Sequence, residues 1–209
     1  VLLTQWDALR TLMWKANCTI APNAFVKAVQ RVADSKGCVS FTGFAQNDVQ
    51  EFLLFVIDCF HNALSREVVM EVTGNTVSDK DMLAKTCYEM MRKTYAKDYS
   101  EMIGIFFGIQ VSEIKSKAGT ALSVTPEPFS VLSVPVTGNA ATDLMTCLRE
   151  YCSVERLEGD NAYLNEKTGE KEDVTKELGF WSLPTILIID LKRWHFGGRK
   201  NQALVTFPL

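Results

Sequence analysis

Asp48 and Glu51 stand three residues apart at the head of a long apolar segment, with the amide of Gln46 just before them. On a helix that spacing projects both carboxylates from one side of the opening turn. Acids there complement the helix dipole and need no further role. The same pair can also accept paired hydrogen bonds from a guanidinium group, which suits the holding of a cationic peptide. Nucleophilic chemistry has fewer candidates. A thiol nucleophile needs a histidine to generate the thiolate and a third group to orient that histidine. Lys85-Thr86-Cys87-Tyr88 sits in the middle of a helical pattern, so Cys87 reads as a buried core thiol. His61 follows Asp58 by three residues and reads as its local partner. His195 follows Trp194 and reads as a residue at the end of a hairpin. We assign no catalytic residue on these grounds.

The elements that must position the acid pair follow from periodicity. Residues 44–64 carry Val49, Phe52, Leu53, Val56, Ile57, Phe60, Ala63 and Leu64 on a helical rhythm, the expected buried face of a helix starting near Asn47. Residues 4–14 form a helix with Trp6, Leu9 and Met13 on one side. Pro22 opens a second helix through Phe25, Ala28, Val29 and Val32. Ser78 caps a further helix over 78–95, with Asp81 three residues on. Residues 103–111 and 129–136 read as strands, 143–151 as a helix, and 161–176 as a polar stretch with a turn at Gly169. Residues 185–194 read as a buried strand, and 203–207 return as its partner after the turn at Gly197 and Gly198. Helices first and strands later give an α+β class.

Composition narrows the partners. The chain of 209 residues suits one large domain or two small ones, and at 47% hydrophobic it is ample for a core. A net charge of −3 without a basic run argues against nucleic acid or an anionic membrane as partner. The longest apolar run, near Ile186, is too short to span a bilayer, and residues 1–5 lack the basic region of a signal peptide. The six cysteines form no C-x-x-C pair, so they read as reduced thiols in an intracellular protein of the cytoplasm or nucleus. No cofactor or metal site is indicated.

Several motifs, in order, resemble the ubiquitin-specific protease family. Gln46-Asn47-Asp48-Val49-Gln50-Glu51-Phe52-Leu53 resembles its Q-x-D-x-x-E-F-L box. Glu127 through Val136 is similar to E-x-F-x-x-L-S-[apolar]-P-[apolar], and Glu155 through Tyr163 to E-x-L-x-G-x-N-x-Y. Leu183 through Trp194 resembles L-P-x-x-L-x-[apolar]-x-L-K-R-F, and Lys200 through Pro208 resembles K-x-x-x-x-V-x-F-P.

The resemblance implies a papain-like fold of the ubiquitin-specific protease type, a helical thumb over about 1–100 and fingers and palm strands over about 101–209. It implies one catalytic-domain fragment, incomplete at both ends. It further implies a deubiquitinating thiol protease in which Asp48 and Glu51, supported by Gln46, hold the arginine-bearing tail of ubiquitin or of a ubiquitin-like modifier. The family's G-N-T-C-Y and G-H-Y boxes, source of its cysteine and histidine, do not occur in this sequence. A non-catalytic ubiquitin-binding or scaffolding module is therefore the alternative. The family's zinc knuckles fall by position on Ser112, Lys115, Asn165 and Thr168, which cannot make a four-thiolate site. For Phe129, Leu132, Leu191 and Phe207 the expected role is core packing, and for Lys192 and Arg193 a structural or solvated one.

Overall fold

The computed structural model describes residues 1–15, 17, 19–166, 168–194 and 198–208, and the chain divides into two compact units. The first comprises Val1–Val68 with Lys97–Ile103, and the second Val69–Ala96 with Gly104–Leu209.

In the first unit, α1 (Leu2–Lys15), α2 (Asn23–Ser35) and α3 (Val49–Leu64) enclose a core of Leu2, Ala28, Val29, Ala33, Phe55 and Cys59. Phe25, Phe41, Phe52 and Phe60 pack around it, and Phe41 meets both Phe52 and Phe55 with ring centroids 5.6 and 5.1 Å apart. The buried face of α3 differs from the periodic expectation. Ile57 is buried as expected and Phe55 and Cys59 are buried beside the expected set, whereas Val49 is 79% exposed and Leu53 and Leu64 lie at the surface. Helix α3 is apolar on most of its circumference, so period alone does not choose a face; the positions of α1 and α2 do. Met13, expected inward on α1, is likewise exposed.

The second unit holds α4 (Asp79–Tyr95) and most of the strands. Ser78 caps α4 by a closed capping box. The Asp81 backbone N–H donates to Ser78 Oγ at 3.2 Å, and the Ser78 backbone N–H donates to Asp81 Oδ2 at 2.9 Å. The Ser78 hydroxyl first, then the backbone N–H groups of Ser78 and Val77, donate to the Asp81 carboxyl and hold it below its ordinary range. Residues 103–111, expected as a strand, split between α5 (Glu101–Phe106) and β1 (Gly108–Ser116). A short, unbroken apolar run does not distinguish helix from strand by period.

Strands β1, β2 (Ala121–Phe129), β8 (Val174–Ser182) and β5 (Glu155–Leu157) form an antiparallel sheet in the order β2-β1-β8-β5. Leu83, Cys87, Met90 and Met91 of α4 pack with Ile109, Val111 and Trp181 of this sheet. On the edge strand β2, Pro126 and Pro128 lie opposite Val111 and Ile109. Their nitrogens share one parity and face the open edge, where the missing N–H groups blunt further pairing. Gly108 is demanded by its surroundings, since a Cβ there would lie 2.6 Å from the Ser182 carbonyl oxygen and 2.7 Å from the Phe129 ring.

A second cluster surrounds the parallel pair of β3 (Val131–Pro135) and β9 (Ile188–Lys192). Phe129, Leu132, Val134, Val136, Cys147, Ala203 and Val205 form it, with Leu144 and Leu148 of α6 (Leu144–Tyr151) and Leu191 against it. The expected antiparallel return of 203–207 onto the 185–194 strand is corrected here. Strand β10 (Val205–Thr206) pairs in parallel with β4 (Thr142–Asp143), and among the described residues the 185–194 arm meets the returning chain by an isolated bridge between Trp194 and Lys200 and by bonds of Arg193 rather than by strand pairing with 203–207. Phe207, expected in the core, is 66% exposed. The short hairpin of β6 (Tyr163–Asn165) and β7 (Glu170–Glu172) turns at Gly169, whose φ of +76° suits glycine. Gly197 and His195 lie outside the described residues.

Asn201 pins the β10 arm in place. It is 3% exposed, and its Nδ2 donates to the carbonyls of Val136 and Gly138 at 3.0 and 2.7 Å while its Oδ1 accepts from Ala203 N–H at 2.8 Å. Arg193 Nη1 donates to the carbonyls of Asn201 and Ala203 at 3.2 and 2.6 Å, which gives Arg193 a structural role.

Two substitutions test this packing. Gly108→Ala should lower stability by about 1–3 kcal/mol in denaturant unfolding, because backbone and a packed ring must both move. Asn201→Leu should cost about 3 kcal/mol or more, since it strands two carbonyls and an N–H beside the core. Retention of the wild-type midpoint by either variant would refute the corresponding contact.

Candidate functional site

Asp48 is not inside α3 but is its N-cap, with φ −71° and ψ 130°. Its Oδ1 accepts the backbone N–H groups of Gln50 and Glu51 at 2.7 and 3.2 Å. Among the described residues its Oδ2 accepts no hydrogen bond. Glu51 stands at the third helical position, where a capping box would send its carboxylate back to the cap's own N–H. The box at Ser78 and Asp81 is closed in that way. The one at Asp48 and Glu51 is open, since Glu51 has no hydrogen-bond partner among the described residues and its side chain is exposed. Gln46 is exposed immediately before the cap. Among the described residues, then, Asp48 Oδ2 and both Glu51 oxygens accept no hydrogen bond at the positive end of the helix.

An apolar groove of about 310 Å³ adjoins this acid pair, lined by Phe25, Val29, Phe41, Val49, Phe52 and Asp48. Phe44, 93% exposed, precedes Gln46 on the same loop. Periodicity places Phe25, Val29, Val49 and Phe52 on helix faces, whereas Phe41 and Phe44 carry no periodic signal. Their one signal in the sequence is that they are phenylalanines stranded in a polar, glycine-containing loop.

The other candidates resolve as structural. His61 does not pair with Asp58, whose carboxylate instead meets Lys36 Nζ at 2.6 Å and the Asn62 amide at 2.9 Å. His61 Nε2 lies 3.3 Å from Asp98 Oδ2 and Nδ1 lies 2.8 Å from Ser100 Oγ. A carboxylate only accepts, so Nε2 carries the proton and Nδ1 accepts from the Ser100 hydroxyl. Ser100 is fully buried and its oxygen accepts the Met102 N–H at 3.3 Å. With Ser100 buried, this Ser-His-Asp trio fixes the end of α3 to residues 98–102. Cys87 is also fully buried, and burial pushes its thiol up, opposite to what a nucleophile needs. Cys38, Cys59, Cys87, Cys147 and Cys152 are free thiols; Cys18 and His195 lie outside the described residues.

The positions matching zinc ligands carry other chemistry. Lys115 Nζ bridges Glu113 and Glu177 at 3.1 and 2.9 Å, and both contacts raise its pKa, that with Glu177 more. The Asn165 amide donates to Glu172 at 2.6 Å. An ammonium held between carboxylates cannot ligate a divalent cation, so these residues do not fit a zinc site. Among the described residues no helix is long and apolar enough to cross a membrane.

Comparison with known proteins follows from this geometry. The pattern of the family described as ubiquitin carboxyl-terminal hydrolase matches residues 2–209. The chain is 31% identical over 181 residues to ubiquitin carboxyl-terminal hydrolase 4 of Eremothecium gossypii, covering 81% of this chain and 20% of that protein. It is 27% identical over 215 residues to ubiquitin carboxyl-terminal hydrolase 2 of Gallus gallus, covering all of this chain and 59% of the relative. The chain thus spans only part of the relatives it matches. In structure it resembles a SAGA DUB module bound to monoubiquitin, with a TM-score of 0.60, 21% identity, and coverage of 88% of this chain and 35% of that one. A SAGA DUB module bound to ubiquitin aldehyde gives a TM-score of 0.58 at 20% identity, with the same coverage. With the papain-like fold of the ubiquitin-specific proteases and a family match along essentially its whole length, the chain belongs to the ubiquitin carboxyl-terminal hydrolase family.

Proposed function

We propose that this chain is part of a deubiquitinating thiol protease domain that binds ubiquitin and directs hydrolysis of the isopeptide or peptide bond after its terminal glycine. The observation that carries the reading is the open capping box. Asp48 and Glu51 hold unengaged carboxylate oxygens at a helix N-terminus beside an apolar groove, inside the segment that resembles the family's Q-x-D box. The arginine-bearing tail of ubiquitin places guanidinium donors on those oxygens, with Gln46 contacting the adjacent peptide. The acids are exposed before binding, so their attraction grows only as the tail excludes water.

In the reaction that the family resemblance implies, a histidine takes the proton of a cysteine thiol. The thiolate attacks the carbonyl carbon of the terminal glycine and the amine leaves with a proton. Water then cleaves the thioester, regenerating the thiol and freeing the ubiquitin carboxylate. Neither reacting residue is assigned to this chain. A non-catalytic ubiquitin-binding role is the alternative, and the acid pair serves it equally.

Two experiments test the reading. Asn caps a helix as well as Asp does, so Asp48→Asn should keep the thermal midpoint while weakening ubiquitin binding by calorimetry. Glu51→Gln should do the same. The loss of a charge-assisted hydrogen bond is worth about 1.5–3 kcal/mol, roughly tenfold to a hundredfold in Kd. Unchanged affinity in both variants would remove the acids from the site. Asp48→Arg is a poorer probe because it also deletes the cap, a loss of about 1 kcal/mol of helix stability. The second experiment exposes the parent protein to ubiquitin bearing a C-terminal thiol-trapping group and maps the adduct by mass spectrometry. A single adduct on a cysteine other than Cys18, Cys38, Cys59, Cys87, Cys147 and Cys152 is the expected result. Reversible binding without an adduct would favour the non-catalytic role.

A further inference from the structure

We propose that a cavity beside Gly179 of β8 is a docking pocket for a single arginine side chain carried by a partner protein. In the register of β1 and β8, Val111 stands opposite Gly179 and Glu113 opposite Glu177. Side chains of a strand alternate between its faces, so these four positions share one face of the sheet. Leu83 of α4 packs there in the cluster that holds Val111 and Trp181. All six residues line one cavity of about 230 Å³.

The cavity exists because residue 179 has no side chain, and nothing local requires a glycine there. Its φ lies outside the left-handed region. A Cβ at 179 would meet no atom within 4 Å, so no neighbouring backbone crowds the position. The register irregularity between β1 and β8 falls between Ile109 and Gln110 instead. A glycine inside a strand weakens it, and one with neither bulge nor crowding to explain it marks the approach of a ligand.

Size and charge specify the occupant. Pockets for small molecules run to about 300–1,000 Å³, so this one takes a side chain rather than a metabolite. Trp181 forms one wall, its ring held edge-on by Tyr88 with centroids 6.3 Å apart. Indole and Leu83 suit an aliphatic stem and a flat cation. On the other side, Lys115 Nζ meets Oε2 of Glu113 and Oε2 of Glu177. Two carboxylates thus share one ammonium, which leaves one negative charge in excess. Among the described residues neither Oε1 accepts a hydrogen bond, and no cation lines the cavity itself. A guanidinium fits this arrangement best, since its fork reaches two carboxylate oxygens while its plane lies on the indole; a lysine ammonium offers only a point charge.

The test is an NMR titration of the purified protein with the pentapeptide acetyl-Gly-Gly-Arg-Gly-Gly-amide, beside versions carrying lysine or neutral citrulline in place of arginine. The arginine peptide should shift the Trp181 indole N–H resonance and saturate at millimolar concentration, and the other two should leave that resonance in place. Gly179→Val fills the hollow with a good strand former. It should raise the thermal midpoint and abolish the Trp181 response, while any response at Asp48 and Glu51 persists. Glu113→Gln, at a part-exposed position, should keep the fold and weaken the response about fivefold. Equal shifts from the citrulline peptide would overturn the role of charge, and equal shifts from the lysine peptide would overturn the guanidinium. A full response in Gly179→Val would overturn the cavity. Shifts of Trp181 that grow with protein concentration without peptide would overturn the partner in favour of a second copy. No shift at millimolar arginine peptide would overturn the site.

Discussion

Burial of one side of α3 is the constraint on which the acid site depends. Phe52, Phe55, Val56, Cys59 and Phe60 lock the helix against α1 and α2, and a locked helix cannot turn its first residues elsewhere. The N-cap at Asp48 fixes where that helix starts. One carboxylate oxygen is consumed by the two backbone N–H groups it caps. What remains for a ligand is therefore set by the same interaction that ends the preceding loop. A cap and a binding residue are usually separate, and here the two oxygens of one side chain divide the tasks.

Polar side chains do comparable fixing elsewhere. Asn201 satisfies two carbonyls and one N–H beside the β3 and β9 core, and His61 ties α3 to Asp98 and Ser100. Buried polar groups of this kind add little net stability when satisfied but are expensive when broken. They specify arrangement more than they supply energy. The same logic governs the far part of the four-stranded sheet, where Lys115 sits between Glu113 and Glu177. Two like charges faced across neighbouring strands would repel; an ammonium between them turns the repulsion into a tie.

Much of the architecture was legible in the chain because local chemistry enforces it. Ser78 with Asp81 announces a helix start, Pro22 announces another, and glycine at 169 announces a turn. The helix after Asp143 was readable from its apolar positions; the structure adds its cap, where the Thr146 backbone N–H and hydroxyl donate to Asp143 and lower its carboxyl. Strand β8 was not read, since Val-Thr-Lys-Glu-Leu-Gly-Phe-Trp-Ser alternates too weakly to stand out from a polar stretch. It is a strand because β1 and β5 flank it on both sides.

The sequence by itself determined the family, the order of the motifs, the helix caps, and the presence of two acids at one helix end, because each of these is written in residue types only a few positions apart. Tertiary structure decided which face of α3 is buried, that β9 pairs with β3 and β10 with β4, that His61 reaches Asp98 rather than Asp58, and that the capping box at Glu51 stays open. All but the last of those outcomes turn on groups distant in sequence competing for the same partner. Local pattern names the competitors, and only the packed chain settles which of them is close enough to win.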